Sequence, residues 1–176
     1  PQGGMLDWGL SGAALAAGRA DAIALHMFAH AGLIHIGFNS VMLFALAGPL
    51  TAAMGAPPAA WLRFLAFYLI AGLAGAGLYL LLNPDSSVPM VGASGAISGL
   101  IGLFSRLRPG GGPLVALWSA EMRRRIWDFA KANLVLIALI TVPILLLGGS
   151  GGIAWEAHLG GFLVGLVAGP RFLVQR

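Results

Sequence analysis

Three separated stretches of the chain carry side chains able to move a proton or an acyl group. The first is His30-Ala31-Gly32-Leu33-Ile34-His35-Ile36-Gly37-Phe38-Asn39. The second is Gly92-Ala93-Ser94-Gly95, and the third is Ala157-His158-Leu159-Gly160-Gly161. A serine becomes a useful nucleophile when a base takes its proton, and histidine has the right proton affinity near neutral pH. Ser94 and His158 can form such a pair with no third carboxylate. Glu156 lies two residues from His158, faces elsewhere on a helix, and is given no part. Acyl transfer also needs donors for the developing oxyanion. His35 and Asn39, four apart, share one helical face, and both can donate. The backbone N–H of Ser94 is a third donor if Ser94 opens a helix, where the helix dipole favours negative charge. His30 would sit at the membrane edge and support the same hole.

The glycines have a place in this chemistry. Gly92 permits a turn closed to bulkier residues. Gly95 and Gly99 let a helix headed by Ser94 press against the helix bearing Gly161 and Gly165, bringing Ser94 toward His158. Other motifs are excluded by single residues. Position 96 is Ala where the nucleophile elbow of soluble esterases needs Gly. No Gly-Lys-Ser/Thr follows, so this is no phosphate loop. His26 and His30 are four apart, as zinc ligands can be, but no Glu follows His26 and no carboxylate is near. Neither a metal nor a cofactor is expected. Taken singly, Ser94 would be a helix-packing serine, His158 a hydrogen-bonded core histidine, and His35 with Asn39 interhelical glue. Their combination is what points to acyl transfer.

The elements that must hold these residues are membrane helices. Of the 176 residues 59% are hydrophobic and 9% charged, against about 25% charged in soluble domains. This deficit makes lipid the solvent, and 27 glycines suit helices packed within it. There is no cysteine, so no disulfide or thiolate site. Spans are expected over Leu33 to Met54, Ala59 to Leu82, Ala132 to Leu147 and Ala157 to Val174. Ser94 to Ser105 is apolar but covers only roughly 18 Å of a core about 30 Å thick. It must start inside the bilayer, shielded by other helices. Pro1 to Ala29 reads as an interfacial region with one or two short helices, and Glu121 to Lys131 as a basic interfacial helix. Gly72, Gly75 and Gly77 suggest a packing face on the second span. Pro143 and Gly148 to Gly152 make the outer end of the fourth the least constrained, and a candidate gate.

If the spans alternate, the basic residues other than Arg19 gather on one side, which the positive-inside rule makes cytoplasmic. That distribution excludes a nucleic-acid partner as the reason for the net charge of +4. The helices headed by Leu33, Ser94 and Ala157 then all run from outside to inside. His35, Asn39, Ser94 and His158 converge at one depth, in the outer half of the membrane. Ionisable and polar groups there are costly, and functional by default.

In order and spacing these three motifs resemble the rhomboid family of intramembrane serine proteases. The first resembles its histidine–histidine–asparagine signature, the second matches its Gly-x-Ser-Gly motif, and the third, with Gly165, matches its histidine helix. The resemblance runs from about Leu6 to the C-terminus. It implies an all-α polytopic membrane bundle around a water-filled cavity, entered laterally by substrate. It implies a Ser94–His158 dyad, with Ser94 as nucleophile and His158 as base and then acid. The oxyanion hole would be His35, Asn39 and the Ser94 N–H. The partners implied are the lipid bilayer and transmembrane protein substrates, cleaved near their outer ends, often at small residues. A bacterial inner membrane, with the site opening to the periplasm, is the expected setting. Family members have six core helices, and five are read here, so a first helix is expected upstream of Pro1. The family's tryptophan–arginine pair has no clear counterpart, since Gly9 follows Trp8. A non-catalytic scaffold that binds membrane proteins is the alternative. A small-solute transporter would want internal repeats, and none is seen.

Overall fold

The computed structural model describes residues 5–149 and 151–174. Pro1 to Gly4 of the interfacial region, Ser150 of the glycine loop and the C-terminal pair with Arg176 lie outside them. The described residues form helices and one isolated antiparallel bridge, with no strand. Two short helices, α1 (Gly12–Ala16) and α2 (Ala22–Leu25), precede α3 (Leu33–Met54), α4 (Ala59–Leu82) and α5 (Ser94–Phe104). Next come α6 (Ala120–Leu136), α7 (Val142–Leu146) and α8 (Trp155–Val167). Among the described residues, three helices are long and apolar enough to cross a membrane: α3, α4 and the continuous rod Ala120–Leu146. Their outer faces present large apolar side chains, among them Leu33, Ile34, Phe44 and Leu146, as expected of surfaces solvated by lipid.

The short helix α5 is the centre. It lies between α4 and α8, and nearly all of it is buried, from Gly95 through Gly102 and Leu103. Backbones touch there. A Cβ on Gly161 would strike the Gly95 carbonyl, and one on Gly165 the Gly99 carbonyl. On α4, a Cβ at Gly75 would come within 2.6 Å of the Ala157 carbonyl oxygen. Gly72 instead faces a side chain, the thioether of Met27. Gly77 does not share that face; open space surrounds it. At 100° per residue it points some 200° away from Gly75.

Two elements depart from the expected layout. The basic segment Glu121 to Lys131 is not a separate interfacial helix. It is the first part of α6, which runs on through a π-helical turn, Ile137–Thr141, into α7. Ser119 caps its start, accepting from the Met122 N–H at 3.1 Å. The π turn answers Pro143, which has no N–H to give its ladder; the Val142 N–H reaches back five residues to the Ile137 carbonyl. The last helix ends at Val167 rather than Val174, followed by a 3₁₀ turn over Gly169–Phe172. Pro170 cannot continue an α-helical ladder.

Arginines close the basic end. α3, α5 and α8 run the same way, and each ends with carbonyls lacking helical partners. Arg63 donates to the Met54 carbonyl at 2.6 Å, Arg106 to Leu166 at 2.8 Å, and Arg125 to Ser105 at 2.7 Å. Cations are favoured at helix C-termini, so the charges that mark orientation also cap the bundle.

The glycine contacts make a stability prediction. Gly161→Ala should cost about 1–3 kcal/mol, the usual cost of overpacking, and lower the thermal unfolding temperature in detergent. Gly77→Ala, in open space, should leave that temperature unchanged or raise it slightly. Equal effects of the two would contradict the packing.

Candidate functional site

The loop before α5 sets the site. Gly92 has φ +114, and a Cβ there would lie 2.7 Å from the His35 ring. Only glycine allows both that backbone and that approach. The Gly92 N–H donates to the His26 carbonyl at 2.8 Å. Just upstream, Leu10 and Met90 exchange both backbone hydrogen bonds, at 2.9 and 2.8 Å. The N-terminal segment thus holds the loop that delivers Ser94 to the head of α5. The Ala93 carbonyl accepts the first helical bond, from the Ile97 N–H at 2.9 Å. The N–H groups of Ser94 and its successors have no carbonyl within the helix.

Ser94 and His158 meet. His158 Nε2 is 2.8 Å from Ser94 Oγ, and His158 is buried while Ser94 is half-buried. His158 Nδ1 is 2.6 Å from Asn133 Oδ1. Glu156 is elsewhere: its Oε1 accepts from Asn83 Nδ2 at 3.0 Å, tying α8 to the end of α4.

His35 and Asn39 lie on the face of α3 turned to the same loop. His35 Nδ1 accepts from the Ala31 N–H at 3.3 Å, so in the neutral ring the proton sits on Nε2. That nitrogen and Asn39 Nδ2 both border Gly92. Asn39 Nδ2 is a buried donor with no acceptor, a costly arrangement in a protein interior. His30 packs edge-on against His35 at 5.1 Å, with its Nδ1 3.2 Å from the Phe28 carbonyl. His26 does not reach this group. Its Nδ1 lies 3.2 Å from the Ala22 carbonyl. Among the described residues no three His, Cys, Asp or Glu side chains come together as metal ligands.

A cavity of about 1660 Å³ is at the other end of the bundle. It opens between α3 and α6, beside Pro49, Ala53, Arg108, Phe129 and Arg171, and touches none of the predicted site residues. The predicted residues Ser94, His158, His35, Asn39, His30, Gly92, Gly95 and Gly161 instead gather at the first half of α5, and Gly165 packs farther along it, against Gly99 and Gly102. Asn133 is the partner that the sequence did not single out. The available signal was a polar residue at the head of an apolar run, four after Phe129.

The chain is thus an integral membrane helical bundle in which a half-buried serine is hydrogen-bonded to a buried histidine. Residues 18–175 match the family described as Rhomboid domain. The chain is 30% identical over 146 residues to "Rhomboid-type serine protease 2" of Emericella nidulans, covering 81% of this chain and 25% of that one. It is 29% identical over 146 residues to "RHOMBOID-like protein 5" of Arabidopsis thaliana, covering 83% of this chain and 42% of that one. The chain therefore belongs to the rhomboid family, a family of intramembrane proteases, and spans less than half the length of these two relatives. Both come from eukaryotes, so they lend no support to a bacterial inner membrane.

Burial holds the His26 imidazole below its ordinary pKa. A histidine depressed in the folded state costs stability as pH falls. The unfolded chain takes up a proton below about pH 6.5 that the folded chain refuses. Unfolding temperature should therefore drop between about pH 7.5 and about pH 5.5, and His26→Gln should reduce that drop. Identical pH slopes for the two proteins would contradict it.

Proposed function

We propose that the protein is an intramembrane serine endopeptidase that cleaves transmembrane helices of other membrane proteins. The observation that carries this reading is the 2.8 Å contact between Ser94 Oγ and His158 Nε2 at the head of a buried helix. Ser94 Oγ attacks the scissile carbonyl carbon as His158 Nε2 takes its proton. The oxygen that gains charge accepts from the Ser94 N–H, Asn39 Nδ2 and His35 Nε2. The buried, unpaired Asn39 donor supports that role. His158 then gives its proton to the leaving amine, and an acyl-enzyme on Ser94 remains. A water, deprotonated by His158, attacks this ester and releases the new carboxylate, while the proton returns to Ser94.

The length of α5 supports the choice of substrate. Eleven residues reach about 16 Å, so a serine at its head sits within the bilayer when its other end is at the basic face. There it meets helical segments of membrane proteins rather than soluble peptides. The arginine-rich end faces the cytoplasm and the site opens toward the other side.

The test is cleavage of a single-span reporter helix in liposomes. Ser94→Ala and His158→Ala should each reduce cleavage to background with folding intact. Asn39→Ala should lower kcat by about 10²–10³-fold, the usual loss of one oxyanion donor. Retained cleavage by Ser94→Ala would overturn the reading. Client capture without cleavage by the wild type would favour a binding scaffold.

A further inference from the structure

We infer that Asn133 is a positioning residue for His158, holding its imidazole in the tautomer that can accept the Ser94 proton; the inference rests on the protease reading above. The hydrogen bonds run in only one sense. The Phe129 carbonyl can only accept, and Asn133 Nδ2 donates to it at 3.0 Å. This fixes the amide: its flip would set oxygen against oxygen. Asn133 Oδ1 is then the atom 2.6 Å from His158 Nδ1, so Nδ1 carries the proton. A neutral ring protonated at Nδ1 leaves Nε2 bare, and Nε2 is the nitrogen 2.8 Å from Ser94 Oγ. Each member's orientation is settled by the one before it, back to a backbone carbonyl of α6.

The register that places Asn133 is also fixed. α6 and α8 run antiparallel, and Phe129 stacks flat on Phe162 at 3.8 Å and 6°. Phe129 and Asn133 are four apart on α6, as Phe162 and His158 are on α8, so the two pairs form adjacent rungs. Below them, buried Met122 packs with Phe162 and Leu166. The aromatic rung and the Met122 contact set the height of α6; the next rung puts an amide oxygen opposite the base. After Asn133 the α6 rod has no fully buried residue as far as Leu147. Asn133 is thus half-buried against the dyad, and beyond it Thr141 makes the next polar tie, accepting from the Ile153 N–H at 3.0 Å.

A merely structural Asn133 would tie α6 to α8 without governing the proton on His158. Three readouts separate the two roles. The ¹⁵N shifts of labelled His158 in the wild-type protein should report a protonated Nδ1 and a bare Nε2. In Asn133→Leu that signature should give way to a mixture of tautomers. In the liposome assay Asn133→Leu should lose about 10- to 100-fold in kcat with KM unchanged, since Asn133 does not touch substrate. Asn133→Asp keeps the acceptor and should recover at least about tenfold of that loss. A wild-type ring protonated at Nε2, an unchanged kcat in Asn133→Leu, or no recovery in a folded Asn133→Asp would each overturn the inference. The last two leave the protease reading standing so long as Ser94→Ala abolishes cleavage. Cleavage that survives Ser94→Ala would overturn that reading itself.

Discussion

Ser94 and His158 share a hydrogen only because α5 and α8 touch through their backbones. Gly161 lies against the Gly95 carbonyl and Gly165 against the Gly99 carbonyl, with no room for a Cβ between them. In lipid there is little hydrophobic force to draw two apolar helices together, so close van der Waals approach has to supply it. Small residues on facing stripes make that approach possible. α4 closes the far side, with Ala71 against Gly99 of α5 and Gly75 against the Ala157 carbonyl of α8. A helix too short to span the bilayer is thereby enclosed on every side, and its first residue is a serine.

From that contact the polar site follows. Burying Ser94, His158 and Asn39 among apolar helices costs free energy unless each polar atom is matched. The structure matches most of them. Ser94 meets His158, His158 meets Asn133, and Asn133 returns to the α6 backbone. His35 accepts from Ala31. Asn39 Nδ2 remains unmatched, beside the loop that carries Ser94. His30 Nε2 and Arg106 Nε are likewise unmatched, but it is Asn39 Nδ2 that borders Gly92 in the loop carrying Ser94, where the proposed oxyanion would form.

Much of this was legible in the sequence because it rests on local rules. The spans around His35 and Gly72 followed from long apolar runs, the second interrupted only by Arg63, and the short α5 from the distance between Ser94 and Arg106. The convergence of His35, Asn39, Ser94 and His158 followed from helix parity, since three helices entering from one side share a depth. What escaped was what depends on continuity through charged sequence. The cluster Arg123-Arg124-Arg125 was assigned to an interfacial helix ending at Lys131, which put Asn133 at the inner edge of a new span. In fact Arg125 turns inward to cap the Ser105 and Leu107 carbonyls and pairs with Glu121. With those charges satisfied, α6 continues without a break, and Asn133 rises about 20 Å from its start at 1.5 Å per residue. Gly77 failed for a simpler reason: a cluster of glycines in sequence is not a face.

The central claim is that Ser94 is a nucleophile activated by His158. Mass-spectrometric mapping of a fluorophosphonate adduct tests it most directly, since that reagent reports an activated serine with no substrate known. The account predicts a single adduct on Ser94 in the membrane-embedded protein, abolished by His158→Ala. An adduct on another serine, or an unlabelled Ser94 in folded protein, would contradict it.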